Sequence, residues 1–379
     1  MNHDISPERC AIMNGTILNF FAGGNTAHGF YSLYESSLQS LTRLYVLKGG
    51  PGTGQTKLIR EIGEQLNQQG YEIWFIHTAS DNDSFDGVII PKLNIGIVDG
   101  TAPRVINPEL PEESIVFVDL EQAADQFQLC QQKLEIDNLV GAIKQEHELA
   151  YAGFTEALRI HDEWEAIYIA KMDFQAADEL TQEYIKLLYG NQKSEKSSRV
   201  DHRFLGAATP MGAVDFVPNL TSGLKRYLVK GRAGSGKSTL LKKIAAEGIK
   251  RGFDVEIYHC GFDPNSLDMI IVRELGFAIF DSTAPHEYYP DRDTDETVDM
   301  YSRCILPGTD EEYSDAIAGI KERYSSTMKQ STQHLTDAKV FLVALKQIYT
   351  STLNFDRVDQ IKSQILEEIN EIVESPLEV

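Results

Sequence analysis

Cysteine, tryptophan and positive charge are all scarce in this chain. Cys10, Cys130, Cys260 and Cys304 are its only thiols, and no two stand at CxxC spacing. That excludes a disulfide framework and a cysteine-based structural zinc site. Lysine and arginine number 35 against 57 aspartates and glutamates, giving a net charge of −22. So acidic a chain repels a phosphodiester backbone and an anionic bilayer alike, and no extensive nucleic-acid contact is expected. No apolar run is long enough to span a bilayer, and Met1 to Glu8 has no signal-peptide character, which predicts a cytoplasmic protein without a membrane partner. The 42% hydrophobic content still allows two sizeable cores.

Part of the positive charge gathers in one place. Lys225, Arg226, Lys230, Arg232, Lys242 and Lys243 surround Gly231-Arg232-Ala233-Gly234-Ser235-Gly236-Lys237-Ser238, which fits the Walker A pattern G-x-x-x-x-G-K-[ST] in full. Glycines let the backbone curl so that successive N–H groups point inward at a phosphate, and a following helix adds its positive N-terminal end. Context agrees. Tyr227-Leu228-Val229 reads as a short strand before the loop, and Leu240, Leu241, Ile244 and Ala245 recur at helical spacing after it, up to Gly252. Lys237 is expected to neutralise the β/γ-phosphates and Ser238 to bind Mg²⁺, with Thr239 completing the binding run.

The pattern occurs twice. Gly49-Gly50-Pro51-Gly52-Thr53-Gly54-Gln55-Thr56 matches everywhere except at the lysine, which is Gln55. Lys237 stands 182 positions after Gln55, and the same offset relates His77 to His259, Asp81 to Asp263, Ser84 to Ser266, Asp86 to Asp268, Asp99 to Asp281 and Pro103 to Pro285. This is an internal repeat. The polar stretch 190–199 reads as a linker, dividing a degenerate unit, 1–195, from a complete one, 196–379. Each is expected to be an α/β domain with a mostly parallel sheet, with cores at about 15–119 and 200–305. A helical hairpin over 120–190 or 309–375 should cover one end of each core, and the two domains should form an intramolecular pseudo-dimer. Within those hairpins Leu134, Leu139, Ile143, Leu158 and Trp164, and Ile317, Ile320, Val340, Leu345 and Ile348, recur at three- and four-residue spacings.

Asp281 ends the strand Phe277-Ala278-Ile279-Phe280, where a carboxylate faces the loop and can bind Mg²⁺. Ile115-Val116-Phe117-Val118-Asp119 competes for that role, but the matching stretch around Val298 does not read as a strand. Asp263 either polarises an attacking water or, with Ser266 and Asp268, caps a helix starting near Leu267. His259 reads as a structural histidine, Cys260 as a small half-buried residue, and Thr283 with His286 as a switch segment or a plain turn. His161 and Glu165 lie one turn apart, but their counterparts Leu342 and Lys346 argue against a metal site. In the first loop Gly49, Gly52, Thr53, Gly54, Gln55 and Thr56 could still hold a phosphate through backbone N–H groups, with Lys48 as a candidate substitute charge. Arg104, which stands where His286 does, is a candidate arginine finger.

Tandem Walker A loops, each followed by His-x-x-x-Asp-x-x-Ser-x-Asp and Asp-[Gly/Ser]-Thr-Ala-Pro, resemble a bacterial family of duplicated P-loop ATPases of uncharacterised role. The resemblance covers essentially the whole chain and implies nucleotide binding and ATPase activity in the cytosol. Gln55 departs from the family pattern. The expectation is ATP hydrolysis with Mg²⁺ at the second loop through Lys237, Asp263 and Asp281, with the first loop regulatory or structural. A P-loop kinase acting on a small molecule, and a nucleotide-gated adaptor using the acidic helices to bind a protein partner, are the alternatives.

Overall fold

The structure, a computed structural model, describes residues 13–101 and 110–374; Cys10 and the candidate finger Arg104 lie outside them. The first half runs β1 (Ile17–Phe21), the hairpin β2 (Gly23–Thr26) and β3 (Gly29–Ser32), α1 (Tyr34–Leu38), β4 (Arg43–Lys48), α2 (Gln55–Gln68), β5 (Ile73–His77), β6 (Phe85–Ile90), β7 (Ile95–Asp99), β8 (Ile115–Asp119), α3 (Gln126–Gln131), α4 (Lys133–Ile169) and α5 (Phe174–Tyr189). The second half repeats this order with β9 (Val200–Phe204), β10 (Gly206–Thr209), β11 (Gly212–Asp215), α6 (Val217–Leu220), β12 (Lys225–Lys230), α7 (Lys237–Lys250), β13 (Val255–His259), β14 (Leu267–Val272), β15 (Phe277–Asp281), β16 (Glu296–Asp299), α8 (Met300–Cys304), α9 (Thr309–Glu312), α10 (Ser314–Ser351) and α11 (Phe355–Glu374). Among the described residues no helix is long and apolar enough to cross a membrane.

The α/β class holds, but the two sheets expected from the repeat are joined into one. Among the described residues, twelve strands lie in the order β8-β4-β7-β6-β5-β1-β9-β13-β14-β15-β12-β16. In each half only β6 or β14 runs against its neighbours, so the sheet is mostly parallel but mixed. The halves meet where β1 pairs antiparallel with β9 at Phe21 and Phe204. Beyond that one pair the open edges are satisfied by side chains: Asn219 accepts the Asn19 N–H and donates to the Ile17 carbonyl, both at 2.8 Å, and the Ser36 hydroxyl accepts the His202 N–H at 2.7 Å. Around the joint, Phe20, Tyr34 and Val46 share one apolar cluster with Leu205, Leu228 and Phe280. The Arg203 guanidinium is fully buried there, 4.4 Å from the Phe20 ring and 4.5 Å from Trp74, and paired with Glu256 at 3.3 Å.

The helical hairpins do not cover their own halves. Leu180, Tyr184, Leu188 and Tyr189 of α5 pack on Leu240, Leu241 and Ile244 of α7 in the second half. Reciprocally, Ile361, Ile365 and Ile369 of α11 pack on Leu58, Ile59 and Ile62 of α2 in the first. The arms cross because α4 and α10 are long and lie antiparallel across the joint. Glu146 meets His334 at 2.7 Å near one end, and Glu163 meets Arg323 at 2.6 Å near the other. Gly153 lets them close up, since a Cβ there would stand 2.1 Å from the Ser331 hydroxyl. An amphipathic stripe specifies that a face is buried, not which copy buries it. Leu134 and Val340, both on the expected apolar stripes, remain exposed.

Two local expectations are corrected. Residues from Leu267 form strand β14, not a helix, so Asp263 and Ser266 cap nothing helical. The stretch around Val298 does form a strand, β16, matching β8. Asp119 and Asp299 still stay out of the site: neither lines the cavity at the second loop, and Asp299 instead accepts the Ser302 N–H as the N-cap of α8.

Candidate functional site

Both glycine loops connect a parallel strand to the helix that follows it, with the same backbone path. Gly52 and Gly54 have φ of +92° and +105°, and Gly234 and Gly236 have +71° and +87°, conformations that favour glycine. Each turn is pinned from inside by a hydroxyl: Thr53 donates to the Gly50 carbonyl at 2.9 Å, and Ser235 to the Arg232 carbonyl at 2.8 Å. Over each loop lies an arm of the other half. A Cβ at Gly52 would stand 2.8 Å from the Lys346 carbonyl, and one at Gly234 would stand 2.5 Å from that of Glu165.

The second loop opens on a cavity of about 1000 Å³ lined by Gly231 to Thr239 and by Asp263, Asp268 and Asp281. Lys237 donates to the Arg232 carbonyl at 2.8 Å and stands 3.5 Å from the Asp281 carboxylate. Ser238 accepts the Leu267 N–H at 3.0 Å, which fixes its hydroxyl beside the start of β14. Asp281 is oriented by the backbone N–H and the hydroxyl of Thr283, at 3.1 and 2.6 Å. The sequence thus brings Lys237, Ser238 and Asp281 to one place. Thr283 serves as the orienting turn, and His286 is tied to Asp215 at 2.7 Å. Burial works against a charge on His286, yet the Asp215 carboxylate raises its pKa above the ordinary value. His259 is structural: it donates to the Pro264 carbonyl at 2.6 Å and meets His202 at 2.8 Å.

Asp263 is occupied by its own turn. Its carboxylate accepts the Asn265 N–H at 3.1 Å and the Ser266 hydroxyl at 3.0 Å, and it meets His28 at 3.3 Å. Asp268 is the residue sequence reasoning set aside as a cap. The antiparallel ladder of β14 and β15 ends with the pair Met269 and Phe280, so Asp268 and Asp281 follow it at the same end of the two strands, and both line the cavity. Burial, and after it the Asp281 charge, push the Asp268 carboxyl up to about 7. The repeat held a signal for it, because Asp86 and Asp99 stand at the matching ends of β6 and β7.

The first loop is filled by protein. Gln55 is buried, and its amide donates to the Gly50 carbonyl at 3.0 Å, reproducing the bond Lys237 makes to Arg232. Tyr349 closes over Gly50, where a Cβ would meet its ring at 2.2 Å. Lys346 donates to Asp81 at 2.5 Å and to Ser84 at 2.8 Å, and Lys339 adds a contact to Asp81 at 3.1 Å. Lys48 does not substitute for the missing lysine, since its ammonium lies 4.1 Å over the Phe117 ring.

Burial alone would raise the Asp81 pKa, but the Lys346 and Lys339 ammonium groups hold it well below the carboxylate range. A lowered folded-state pKa contributes stability that is present above the unfolded value of about 3.9 and is lost as pH falls further. Lys346→Ala is expected to destabilise the protein by about 2 kcal/mol at neutral pH, less than the full cost of an orphaned buried charge because Lys339 remains. Denaturant midpoints at pH 7 and pH 3 check this: the difference from wild type should shrink at the lower pH.

Comparison of the chain with protein-family models, with curated proteins and with solved structures finds no match in any of the three.

Proposed function

We propose that the chain is a duplicated P-loop ATPase, an intramolecular pseudo-dimer that binds one nucleoside triphosphate, at the second loop, and hydrolyses it. The observation that carries this reading is Lys237 placed 3.5 Å from Asp281 inside the cavity, at the N-terminus of α7. The loop amides and Lys237 would hold the β- and γ-phosphates. Ser238 and Asp281 offer a hydroxyl and a carboxylate, hard oxygen donors suited to Mg²⁺. Mg²⁺ held there would supply positive charge against that developing on the phosphate oxygens. Asp268 takes the proton of the attacking water as its oxygen bonds to the γ-phosphorus and the bridging P–O bond breaks, leaving ADP and phosphate. Asp268, in the cavity at the strand end beside Asp281, is better placed for that role than Asp263, whose oxygens are engaged in a turn.

The filled first loop gives a direct test. Titration calorimetry with Mg²⁺ and ATPγS should return one site per chain, in wild type and in Gln55→Lys alike. A second site in either protein would contradict the reading that Lys346 and Tyr349 have closed the first loop. Phosphate release without an added acceptor separates an ATPase from a kinase.

A further inference from the structure

At about 1000 Å³ the cavity sits at the upper end of the range for a single small-molecule site, roughly 300–1,000 Å³. Its far wall belongs neither to the glycine loop nor to the sheet edge. His161 and Trp164 of α4, Tyr324 of α10 and Phe262 in the β13–β14 turn all line it. Their rings touch in series: His161 lies 5.8 Å from Tyr324 and 6.3 Å from Phe262, Tyr324 lies 6.0 Å from Phe262, and Trp164 lies 6.5 Å from Tyr324. Lys321, one turn before Tyr324, holds its ammonium 5.1 Å from the Trp164 ring. Glu165, next to Trp164, backs the loop at Gly234, so this wall begins where the phosphate cradle ends. Burial lowers the His161 pKa against the pull of Glu165, and the Lys237 charge works in the same direction as burial.

The repeat provides an internal control. Structural packing shared by both halves would recur at the first loop, and this wall does not. Along the long arm helices the offset is 181, as Glu165 over Gly234 and Lys346 over Gly52 show, so His161 corresponds to Leu342, Trp164 to Leu345, Tyr324 to Ile143 and Lys321 to Val140; Phe262, at 182, corresponds to Ser80. Every ring is replaced by an aliphatic or small side chain beside the loop that has lost its lysine. The aromatic wall and the complete loop therefore occur together.

We infer that this wall forms a second chamber, which binds a planar heteroaromatic molecule of nucleoside size beside the triphosphate. The inference rests on the nucleotide reading of the second loop and adds a ligand to the same site. Flat rings stack on Trp164 and Tyr324, and ring nitrogens or oxygens can take hydrogen bonds from Lys321. Glu165 offers an acceptor for a hydroxyl or amino group.

The chain has two tryptophans, so Trp74→Phe leaves Trp164 as the sole reporter. In that background, with Mg²⁺ and saturating ATPγS, adenosine, guanosine, cytidine and uridine are titrated while indole fluorescence is followed. Saturable quenching by at least one is expected. Tyr324→Leu, which keeps bulk, and Lys321→Ala, at an exposed position, should each weaken that binding, the former by about tenfold or more. ATPγS affinity by calorimetry should stay unchanged in both. Absence of saturable quenching with ATPγS bound overturns the chamber alone. So does a nucleoside that binds only when ATPγS is left out, because the chamber would then be holding the triphosphate's own base. Unchanged nucleoside affinity in both variants overturns it too. Loss of ATPγS heat in the wild type removes the nucleotide reading itself, and the chamber with it.

Discussion

Lys237→Ala is expected to lower ATP turnover by about a hundredfold or more, the loss typical of removing one preorganised donor from a developing charge. The lysine is placed for this. Its ammonium is held by one backbone carbonyl, that of Arg232, and by Asp281 at 3.5 Å, both within the cavity. Folding should survive the change, because the loop turn is pinned by Ser235 and its backbone path is set by Gly234 and Gly236. Circular dichroism and phosphate release on the purified variant check both halves of the statement. Retention of most activity would remove the second loop as the active site.

Asp268→Asn should lower turnover by about 10² to 10⁴, the range for a positioned proton acceptor, with nucleotide affinity retained. Asparagine keeps the shape and the hydrogen-bonding capacity of the side chain and removes only the basic site. Asp263→Asn is the comparison that decides between the two carboxylates. Its effect should be smaller and appear as local loosening, because Asp263 holds the turn through Asn265 and Ser266. Single-turnover phosphate release for both variants, alongside calorimetric affinity for ATPγS, ranks them. A larger loss of the chemical step in Asp263→Asn would reverse the assignment.

That ranking bears on what a sequence can disclose. The glycine loops, their strands and their helices were legible because each rests on local chemistry: glycine at positive φ, apolar periodicity, and a repeat that doubles every signal. Asp268 was obscured by mimicry. Asp-x-x-Ser closes a hairpin turn at Asp263 and Ser266 with the same side-chain bonds that start a helix, so the following residues read as a helix when they are a strand. Sheet continuity and the crossed arms were not legible, since both depend on which of two near-identical partners is chosen. Lys346 shows the same limit from the other side. On a helix it is an unremarkable charge, and its contact with Asp81 joins positions more than 260 residues apart.

The crossed arms also set an order of events during synthesis. The apolar face of α2, made early, is covered by α11, the last helix among the described residues. Leu58, Ile59 and Ile62 therefore stay uncovered until Ile361, Ile365 and Ile369 have been made. The second half faces no such delay, because α5 has already been made when α7 arrives. The half that keeps the complete loop is thus the half whose cover precedes it.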